Sequence, residues 1–309
     1  NITTRLRQSH GVPQSSVLGP LLFLILINDL PNSISSSISL FADDCVIYRE
    51  VTNASDVLNV QAYINHVSKW CELWEMKLNT TKCKAVRVSR KCNFPSSYFL
   101  EDVPLHSVSS YKYLGVYTTS DISWQMHVEY VINNANRMLG YLKQNFSLAP
   151  SSLKLTLYKT LVRSKLQYAS SIWDPGHSKL TNALELVQNR SARFILNNFH
   201  RTASVSSMKT SLLLPNLNLR RKIARLCLFH KIYHTNSLLH NRLLNQPCYI
   251  SPRIDHVYKV DILKCNTNAF QESFIPKTSV DWNHLPASIA TIVPDHLFRT
   301  AINNLYCSD

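Results

Sequence analysis

Hydrophobic and polar positions alternate along two short runs on either side of a pair of aspartates, Asp43 and Asp44. The runs cover residues 38–41 and 45–48. Alternation with a period of two is typical of a β-strand that buries one face, and a short polar step between two such strands is typical of a turn. The pattern therefore predicts a β-hairpin that carries two adjacent carboxylates at its tip.

An apolar run at residues 21–27 lies between a turn at residues 11–13 and Pro31. The run predicts a largely buried helix, which Ser15 or Ser16 can cap and which ends before Pro31. It is far shorter than the about 18 residues that a bilayer-spanning helix needs. No transmembrane segment is therefore expected.

Weaker periodic segments follow up to residue 120. Residues 56–74 have the period of a helix, and residues 85–88 and 111–118 have the pattern of short strands. The apolar face of this predicted helix consists of Val57, Val60, Ile64, Val67 and Cys71. This first part of the chain is therefore expected to mix helices with short strands.

From residue 124 onward the periodicity is helical. The predicted helices cover residues 124–145, 151–173, 180–199 and 217–235. Ser151 or Ser152 can cap the second of them, whose apolar stripe consists of Leu157, Leu161, Tyr168 and Ile172. Residues 247–255 predict a loop that leads to a mixed terminal segment. The pattern indicates an antiparallel helical bundle.

The chain has a formal net charge of +14, and most of this charge lies in the helical part. Between Arg137 and Lys231 there are 16 basic residues, accompanied only by the acids Asp174 and Glu185. A helical region with this charge repels itself unless it faces a polyanion. The charge favours nucleic acid, bound mainly through its phosphates. The alternative is a solvated basic surface that keeps the protein soluble.

Eight cysteines are scattered along the chain without a Cys-x-x-Cys pair. Free thiols in a reducing compartment are the simplest interpretation, and with no secretory signal an intracellular location in the nucleus or cytoplasm is expected. Cys227, His230 and His234 could share one helix face as metal ligands. Because no fourth ligand has a plausible spacing, ordinary packing is favoured for these three side chains.

The two aspartates at the predicted hairpin tip are the main candidates for chemistry. Two fixed carboxylates at one exposed point can hold a pair of Mg²⁺ ions roughly 3.5–4 Å apart, which clamp the attacking and leaving oxygens in phosphoryl transfer. The alternative is a polar turn that happens to contain two acids. The motifs around Asp43 and Asp44 favour the metal site.

Upstream of Phe41-Ala42-Asp43-Asp44 lies the block Gly11-Val-Pro-Gln-Ser-Ser-Val-Leu-Gly-Pro20. This pair of motifs resembles the reverse transcriptases of non-LTR (LINE-type) retrotransposons. The resemblance continues downstream, in family order, through Tyr113-Leu114-Gly115, Lys165-Leu-Gln-Tyr-Ala-Ser-Ser-Ile-Trp-Asp-Pro175, Leu184-Glu-Leu-Val-Gln-Asn-Arg190, Leu219-Arg-Arg-Lys222 and Phe274-Ile-Pro-Lys-Thr-Ser-Val-Asp-Trp-Asn-His-Leu-Pro286.

The resemblance implies an α+β fold in three parts. Residues 1–120 would form a partial polymerase palm of β-hairpin and helices, residues 121–200 a mainly α-helical thumb, and residues 201–309 a C-terminal helical extension. The implied substrates are an RNA template, a DNA primer and dNTPs, and the implied cofactor is Mg²⁺ or Mn²⁺. An endonuclease domain in the full-length protein is compatible with this family, and no membrane partner is expected.

The resemblance also assigns roles to residues. Asp43 would be the direct metal ligand and Asp44 would assist it. Contacts to the nucleotide and template are implied for Gly11, Pro13, Gln14, Ser15, Phe41 and Ala42. Tyr113, Leu114 and Gly115 would hold the primer end, although an ordinary strand explains them equally well. The basic outer faces of the helices suggest contacts to the nucleic-acid backbone by Lys154, Lys159, Arg163, Lys165, Arg190, Arg193, Arg220 and Arg221.

Two departures from the family pattern affect activity. The family's third carboxylate lies on a strand upstream of Gly11, before the start of this chain, and Ser15 stands where the family usually has Gly. Because Mg²⁺ requires near-octahedral oxygen ligation, we predict that this chain alone does not polymerise. Two alternatives remain open, a non-catalytic module that binds RNA or an RNA–DNA hybrid and a decayed element.

Overall fold

The computed structural model describes residues 17–33, 37–88, 97–251, 253 and 255–307. The chain divides into two compact units, residues 1–111 and 112–309. Gly11, Pro13, Gln14, Ser15 and Ser16 lie outside the described residues, so their predicted roles stay predictions. The mixture of helices with small sheets is compatible with the predicted α+β class.

The described strands pair two by two. The pairs are β1 (Ser37–Phe41) with β2 (Asp44–Tyr48), β3 (Lys84–Val86) with β6 (His106–Val108), β4 (Phe99–Leu100) with β5 (Val103–Pro104), and β7 (Ser110–Tyr113) with β8 (Val116–Thr119). The β3–β6 pair is parallel, whereas β1–β2 and β4–β5 are antiparallel. The strands predicted at residues 85–88 and 111–118 are found as β3 and as the β7–β8 pair.

Helices make up most of the remaining described structure. They are α1 (Leu18–Ile27), α2 (Ala54–Leu73), α3 (Gln125–Asn145), α4 (Ser151–Leu157), α5 (Arg163–Gln167), α6 (Ser178–Ile195), α7 (Val205–Ser211), α8 (Leu217–Thr235), α9 (Ser237–Leu243), α10 (Asn268–Gln271), α11 (Phe274–Asn283), α12 (Ala287–Ala290) and α13 (Asp295–Cys307). A 3₁₀ turn (Leu30–Ser33) follows α1, and a π-helical segment (Tyr158–Val162) joins α4 to α5. No helix in the described ranges is both long and apolar enough to cross a membrane.

The first unit has a small core between the β1–β2 hairpin and α2. Buried side chains of Tyr63, Val67 and Cys71 on α2 form its centre, and the hairpin contributes Leu40 and Ile47. A capping box at Asn53 and Asp56 starts α2, because the Asn53 side chain accepts from the Asp56 amide while the Asp56 carboxylate accepts from the Asn53 amide. The predicted helix at residues 56–74 is therefore confirmed, with Tyr63 added to its buried face.

Helix α1 is less buried than its sequence predicts. Its side chains are apolar throughout, but within the helix only Ile27 is buried, and Leu18, Leu21, Leu22, Leu24 and Ile25 are exposed. Val17 is the N-cap residue and makes no side-chain cap bond, and the predicted capping residues Ser15 and Ser16 lie outside the described residues. An apolar run identifies a helix, but the number of buried faces depends on how many partners pack against it.

The second unit is helical and contains two hydrophobic clusters. The first is built from α3 to α7 around side chains such as Leu142, Tyr158 and Trp173, which are fully buried. The second is built mainly from α8, α11 and α13 around Trp282 and Phe298. The helix predicted at residues 217–235 is found as α8 with the same bounds. The terminal segment, predicted as mixed, consists of short helices in the described residues.

The prediction of a single helix over residues 151–173 is wrong in two respects. The helix ends at Gln167, since Tyr168 leaves the helical region with a ψ of 124° and Ala169 has a φ of 52°. Its N-cap is Pro150 without a side-chain bond, not Ser151 or Ser152.

The apolar stripe predicted for this helix is also displaced. The buried line consists of Lys154, Tyr158, Val162 and Leu166, spaced four residues apart, whereas Leu161, Tyr168 and Ile172 are exposed. The wide turn of the π-helical segment permits this spacing, because it accommodates an extra residue relative to the 3.6-residue period of an α-helix.

Candidate functional site

The tip of the β1–β2 hairpin holds both candidate metal ligands. Phe41 and Asp44 are the last paired residues of the strands, so Ala42 and Asp43 form a two-residue turn. Ala42 has a φ of 49°, in the left-handed region that residues with a Cβ atom seldom adopt. Both Asp43 and Asp44 are exposed. The predicted arrangement of two adjacent acids at a hairpin tip is therefore present.

The two faces of the hairpin have different surroundings. Leu40 and Ile47 lie on the face that packs into the core of the first unit. Cross-strand partners of an antiparallel pair share a face, so Phe41 and Asp44 lie together on the opposite side. Phe41 is 61% exposed despite its large apolar ring. The hairpin is thus anchored through one face and presents an aromatic ring beside a carboxylate on the other.

The donor set at this tip fits a divalent cation only in part. Carboxylate oxygens are the ligands that Mg²⁺ prefers, and Asp43 and Asp44 supply two such groups. No group of three or more His, Cys, Asp or Glu side chains that could hold a metal ion occurs among the described residues. The described part of the chain therefore offers two neighbouring carboxylates that could ligate a cation, without a complete set of ligands.

A second tight turn carries the Tyr113-Leu114-Gly115 motif. Leu114 and Gly115 connect β7 to β8, and both have positive φ angles, 45° and 84°. The hydroxyl of Tyr168 donates a hydrogen bond to the carbonyl of Leu114 at 2.9 Å. A Cβ atom at position 115 would lie 3.1 Å from Cε1 of Tyr168, closer than such contacts normally are. Glycine is therefore favoured here both by the backbone angle and by the neighbouring ring.

The predicted nucleic-acid-backbone residues differ widely in burial. Lys165 and Arg190 are exposed, while Lys159, Arg163, Arg193 and Arg220 are half-buried. The guanidinium of Arg193 donates to the carbonyls of His200 and Ala203, which ties the end of α6 to the following loop. The structure therefore brings part of the predicted basic surface to solvent.

Two residues of this predicted set point inward, and for them the prediction is wrong. Lys154 is 4% exposed, and its ammonium donates to the Ser147 carbonyl at 2.7 Å. Arg221 is 1% exposed and forms an ion pair with Asp174. Both cations are held by internal acceptors, because a buried charge is costly unless it is paired or hydrogen-bonded. Neither is available to a phosphate in this structure.

The downstream motifs meet in a buried ion-pair network. Asp174 accepts from Arg221 at 2.6 Å through one oxygen, and its other oxygen faces Arg225 at 3.0 Å and Lys277 at 3.3 Å. Arg225 also pairs with Asp281 at 2.9 Å. These residues come from the loop after α5, from α8 and from α11. The network therefore joins three sequence motifs that are far apart in the chain.

Sequence reasoning missed the structural roles of Tyr168 and Asp174. Both lie in the quoted motif at residues 165–175, but the pattern assigned Tyr168 to an apolar stripe and Asp174 only to the stop signal after the predicted helix. One signal could have identified Asp174, since an isolated acid in a strongly basic segment is a natural partner for buried arginines. The contact of Tyr168 with Leu114 has no comparable local signal.

The three side chains considered as metal ligands on α8 have other partners. His230 is fully buried, and its ring nitrogens lie 3.0 Å from Oδ1 of Asp295 and 2.7 Å from the Ile292 carbonyl. Burial, together with the neighbouring His230, lowers the pKa of His234. Burial raises the pKa of the Cys227 thiol. These surroundings agree with packing roles for all three.

Comparison with known proteins gives a consistent set of relatives. Residues 1–118 match the family of reverse transcriptases, RNA-dependent DNA polymerases. The chain is 28% identical over 251 residues to a probable RNA-directed DNA polymerase from transposon X-element of Drosophila melanogaster, a match that covers 78% of this chain and 26% of that protein. It is 26% identical over 201 residues to the RNA-directed DNA polymerase from mobile element jockey of Drosophila funebris, with 60% of this chain and 22% of that protein covered.

A further relative is a probable RNA-directed DNA polymerase from transposon BS of Drosophila melanogaster, 27% identical over 201 residues, with 60% of this chain and 22% of that protein covered. The chain spans about a quarter of the length of the curated relatives it matches. The family match includes the hairpin with Asp43 and Asp44, and the longest relative alignment extends beyond it into the helical unit. The predicted resemblance to reverse transcriptases of non-LTR elements is thereby confirmed, since the family match and the similar transposon and mobile-element polymerases agree with it.

Proposed function

We propose that this chain is part of an RNA-directed DNA polymerase in which Asp43 and Asp44 help to hold divalent cations. The observation that carries this proposal is the exposed pair of carboxylates at the tip of a paired hairpin, inside the segment that matches the reverse transcriptase family. The substrates would be an RNA template, a DNA primer and dNTPs, and the cation would be Mg²⁺ or Mn²⁺. When bound, such ions neutralise developing charge and activate the primer 3′-OH.

The hairpin would act by positioning. Asp44 is fixed by its pairing with Phe41, and Asp43 by a turn in which Ala42 has a left-handed backbone. Strained backbone of this kind costs about 1–3 kcal/mol and is concentrated at functional sites, which supports a role for the turn geometry. We assign direct metal ligation to Asp43 and a supporting role to Asp44. Phe41 and Ala42 would lie beside the nucleotide, together with Gly11, Pro13, Gln14 and Ser15.

We also propose a domain organisation for the chain. Residues 1–120 would belong to the palm, residues 121–200 to the thumb, and residues 201–309 to a helical extension. The end of the family match at residue 118 supports a boundary near the first of these limits. The turn at Leu114 and Gly115, buttressed by Tyr168, would support the primer end.

Contacts to the nucleic-acid backbone would come from the accessible cations of the second unit. Lys165 and Arg190 are exposed, and Lys159, Arg163, Arg193 and Arg220 are partly accessible. Such contacts neutralise phosphates and release counterions, so binding should weaken steeply as the salt concentration rises. Each phosphate neutralised in a B-form duplex contributes a slope of about −0.9 in a plot of log affinity against log salt.

We expect the isolated chain not to polymerise, because Asp43 and Asp44 are only two of the three carboxylates that the resemblance implies. The test is primer extension on an RNA template by the purified chain with dNTPs and Mg²⁺ or Mn²⁺, alongside the complete polymerase that contains this segment. The proposal predicts product only from the complete polymerase. Metal-dependent product from the isolated chain that Asp43→Ala abolishes would disprove the predicted inactivity and still support the role of Asp43.

A second candidate function is a non-catalytic module that binds RNA or an RNA–DNA hybrid. The formal net charge of +14 and the exposed cations of the second unit favour it. Fluorescence anisotropy with a labelled hybrid distinguishes it from the first function, because binding without extension in the complete protein would support the module. Hybrid affinity that does not change between low and physiological salt would contradict the electrostatic basis of both functions.

A further inference from the structure

A cleft of about 390 Å³ opens on the second unit beside α8 and α13. Its polar lining consists of Gln167, Ser170, Arg220, Lys231, Arg299 and Asn303, and the rest is small or apolar. All of the lining residues belong to the second unit. None of the proposed roles above involves Lys231, Arg299 or Asn303.

The charge of this cleft is unbalanced. Three of the lining residues are cations and none is a carboxylate. Among the described residues neither Arg220 nor Arg299 has an ion-pair partner. Lys231 is 3.5 Å from Asp295, a carboxylate that also faces the ring of the buried His230. Asp295 at the edge is therefore one carboxylate beside three cations, so the cleft has an excess of positive charge.

Arg220 forms the most buried cationic part of the cleft and is incompletely hydrogen-bonded. One of its terminal nitrogens donates to Oε1 of Gln167 at 3.2 Å, but its buried Nε has no partner among the described residues. Burial and the neighbouring Arg220 charge lower the pKa of the Arg163 guanidinium. A second guanidinium thus adds to the positive charge near the cleft.

Arg221, the next residue of α8, has different surroundings from Arg220. Arg221 is paired with Asp174 inside the protein, as is Arg225. Both terminal nitrogens of Arg221 also lack a hydrogen-bond partner among the described residues. Arg220 therefore differs from Arg221 in having no internal carboxylate beside it in the described part of the chain, not in having an unpaired nitrogen.

We propose that this cleft binds a phosphate group. Guanidinium groups match phosphate oxygens with two parallel hydrogen bonds, and Lys231 adds a mobile point charge at the mouth. The amide of Gln167 and the hydroxyl of Ser170 can supply neutral donors. The volume admits a phosphate together with an attached sugar, so the source is either a phosphodiester of bound nucleic acid or a free phosphate compound. Only the first source rests on the proposed function.

The test uses the whole chain with Lys231→Gln and Arg299→Gln combined. Both residues are exposed, so the substitutions are expected to leave the fold intact, which circular dichroism checks. The matched control combines Lys143→Gln and Arg242→Gln, two exposed cations outside the cleft with the same change in charge. The probes are inorganic pyrophosphate, compared with NaCl at equal ionic strength, and a labelled RNA–DNA hybrid titrated at several salt concentrations.

Pyrophosphate at about ten times its dissociation constant should raise the Tm of the wild type and of the control by about 3 °C, and that of the cleft variant by much less. If the hybrid supplies the phosphate, the plot of log hybrid affinity against log salt concentration should be less steep for the cleft variant than for the control. The difference in slope should be about one. Loss of the pyrophosphate effect with unchanged hybrid binding would identify a free phosphate compound as the ligand. Equal responses of cleft and control variants to both probes would overturn the proposal, even if the wild type binds the hybrid.

Discussion

Arg221 donates from Nε to Oδ1 of Asp174 at 2.6 Å, and both side chains are almost completely removed from solvent. The two residues are 47 positions apart in the chain. Arg225 completes the connection by binding Asp174 and Asp281 with different nitrogens. The motifs around these residues therefore serve, in this unit, to fasten the loop after α5 and the helices α8 and α11 to one another.

Replacement of Asp174 by Asn should strongly destabilise the second unit. The substitution leaves the buried guanidiniums of Arg221 and Arg225 facing a neutral amide, and breaking a buried pair typically costs about 3–5 kcal/mol. Urea unfolding followed by circular dichroism measures the loss.

Asp261→Asn is the matched control for this prediction. Asp261 lies in the same unit, is half-buried and has no ion pair among the described residues. Its variant should unfold within about 0.5 kcal/mol of the wild type. If Asp174→Asn is as stable as this control, the network does not hold the helices together.

Gly115→Ala should destabilise the β7–β8 turn by about 1–2 kcal/mol. Its φ of 84° is unfavourable for alanine, and the added methyl group would press against Tyr168. Gly140→Ala provides the opposite case, because the site lies in α3 and, apart from the adjacent residues and the helix's own nearby backbone, no described atom lies within 4 Å of the added Cβ.

The same unfolding experiment should show that Gly140→Ala raises stability by about 0.5–1 kcal/mol, since alanine is the better helix former. A Gly115→Ala variant that gains stability as Gly140→Ala does would show that the turn does not need its left-handed backbone.

The stability of the second unit should fall as the pH drops below about 6.5, in part because of His127. This histidine is 1% exposed, and its Nδ1 accepts from the Tyr117 amide at 3.2 Å. Burial, reinforced by the charge of Lys112, lowers the pKa of His127 to about 4. The unfolded chain therefore takes up this proton first, so the stability present above pH 6.5 is lost progressively down to pH 4.

For His127 this linkage amounts to about 2 kcal/mol between pH 7 and pH 5. Urea unfolding at both pH values should give a clearly smaller pH dependence for His127→Gln than for the wild type. His200→Gln, at an exposed histidine of the same unit, should keep the wild-type dependence. An unchanged pH dependence in His127→Gln would mean that His127 is not the group responsible.

Local patterns were sufficient for several elements of this fold. Alternation identified the β1–β2 hairpin, and the helical period gave the bounds of α8. The same patterns failed where burial depends on distant residues. The helix predicted to reach Trp173 ends at Gln167, because Ala169 turns the chain and the indole of Trp173 donates to the Tyr168 carbonyl. No periodicity in the sequence signals such a turn.

The candidate site, like the fold, could be predicted from the sequence only in part. The adjacency of Asp43 and Asp44 is a property of the sequence, and the turn follows from the strands on either side. The orientation of the cations was not predictable in this way, because Lys154 and Arg221 face inward toward the Ser147 carbonyl and Asp174. A basic residue is by default assigned to the surface, and only its long-range partner reveals that it is buried.

The proposed role of Asp43 as a metal ligand is tested most directly by RNA-templated primer extension with the polymerase of which we propose that this chain is a part. Asp43→Asn is compared with Asp102→Asn, which changes an exposed acid of the same unit at the β4–β5 turn. Loss of a metal ligand removes several kcal/mol of charge stabilisation, so Asp43→Asn should reduce Mg²⁺-dependent extension by about 10³-fold, with Asp102→Asn near wild type. Extension by Asp43→Asn at the wild-type rate would contradict the assignment.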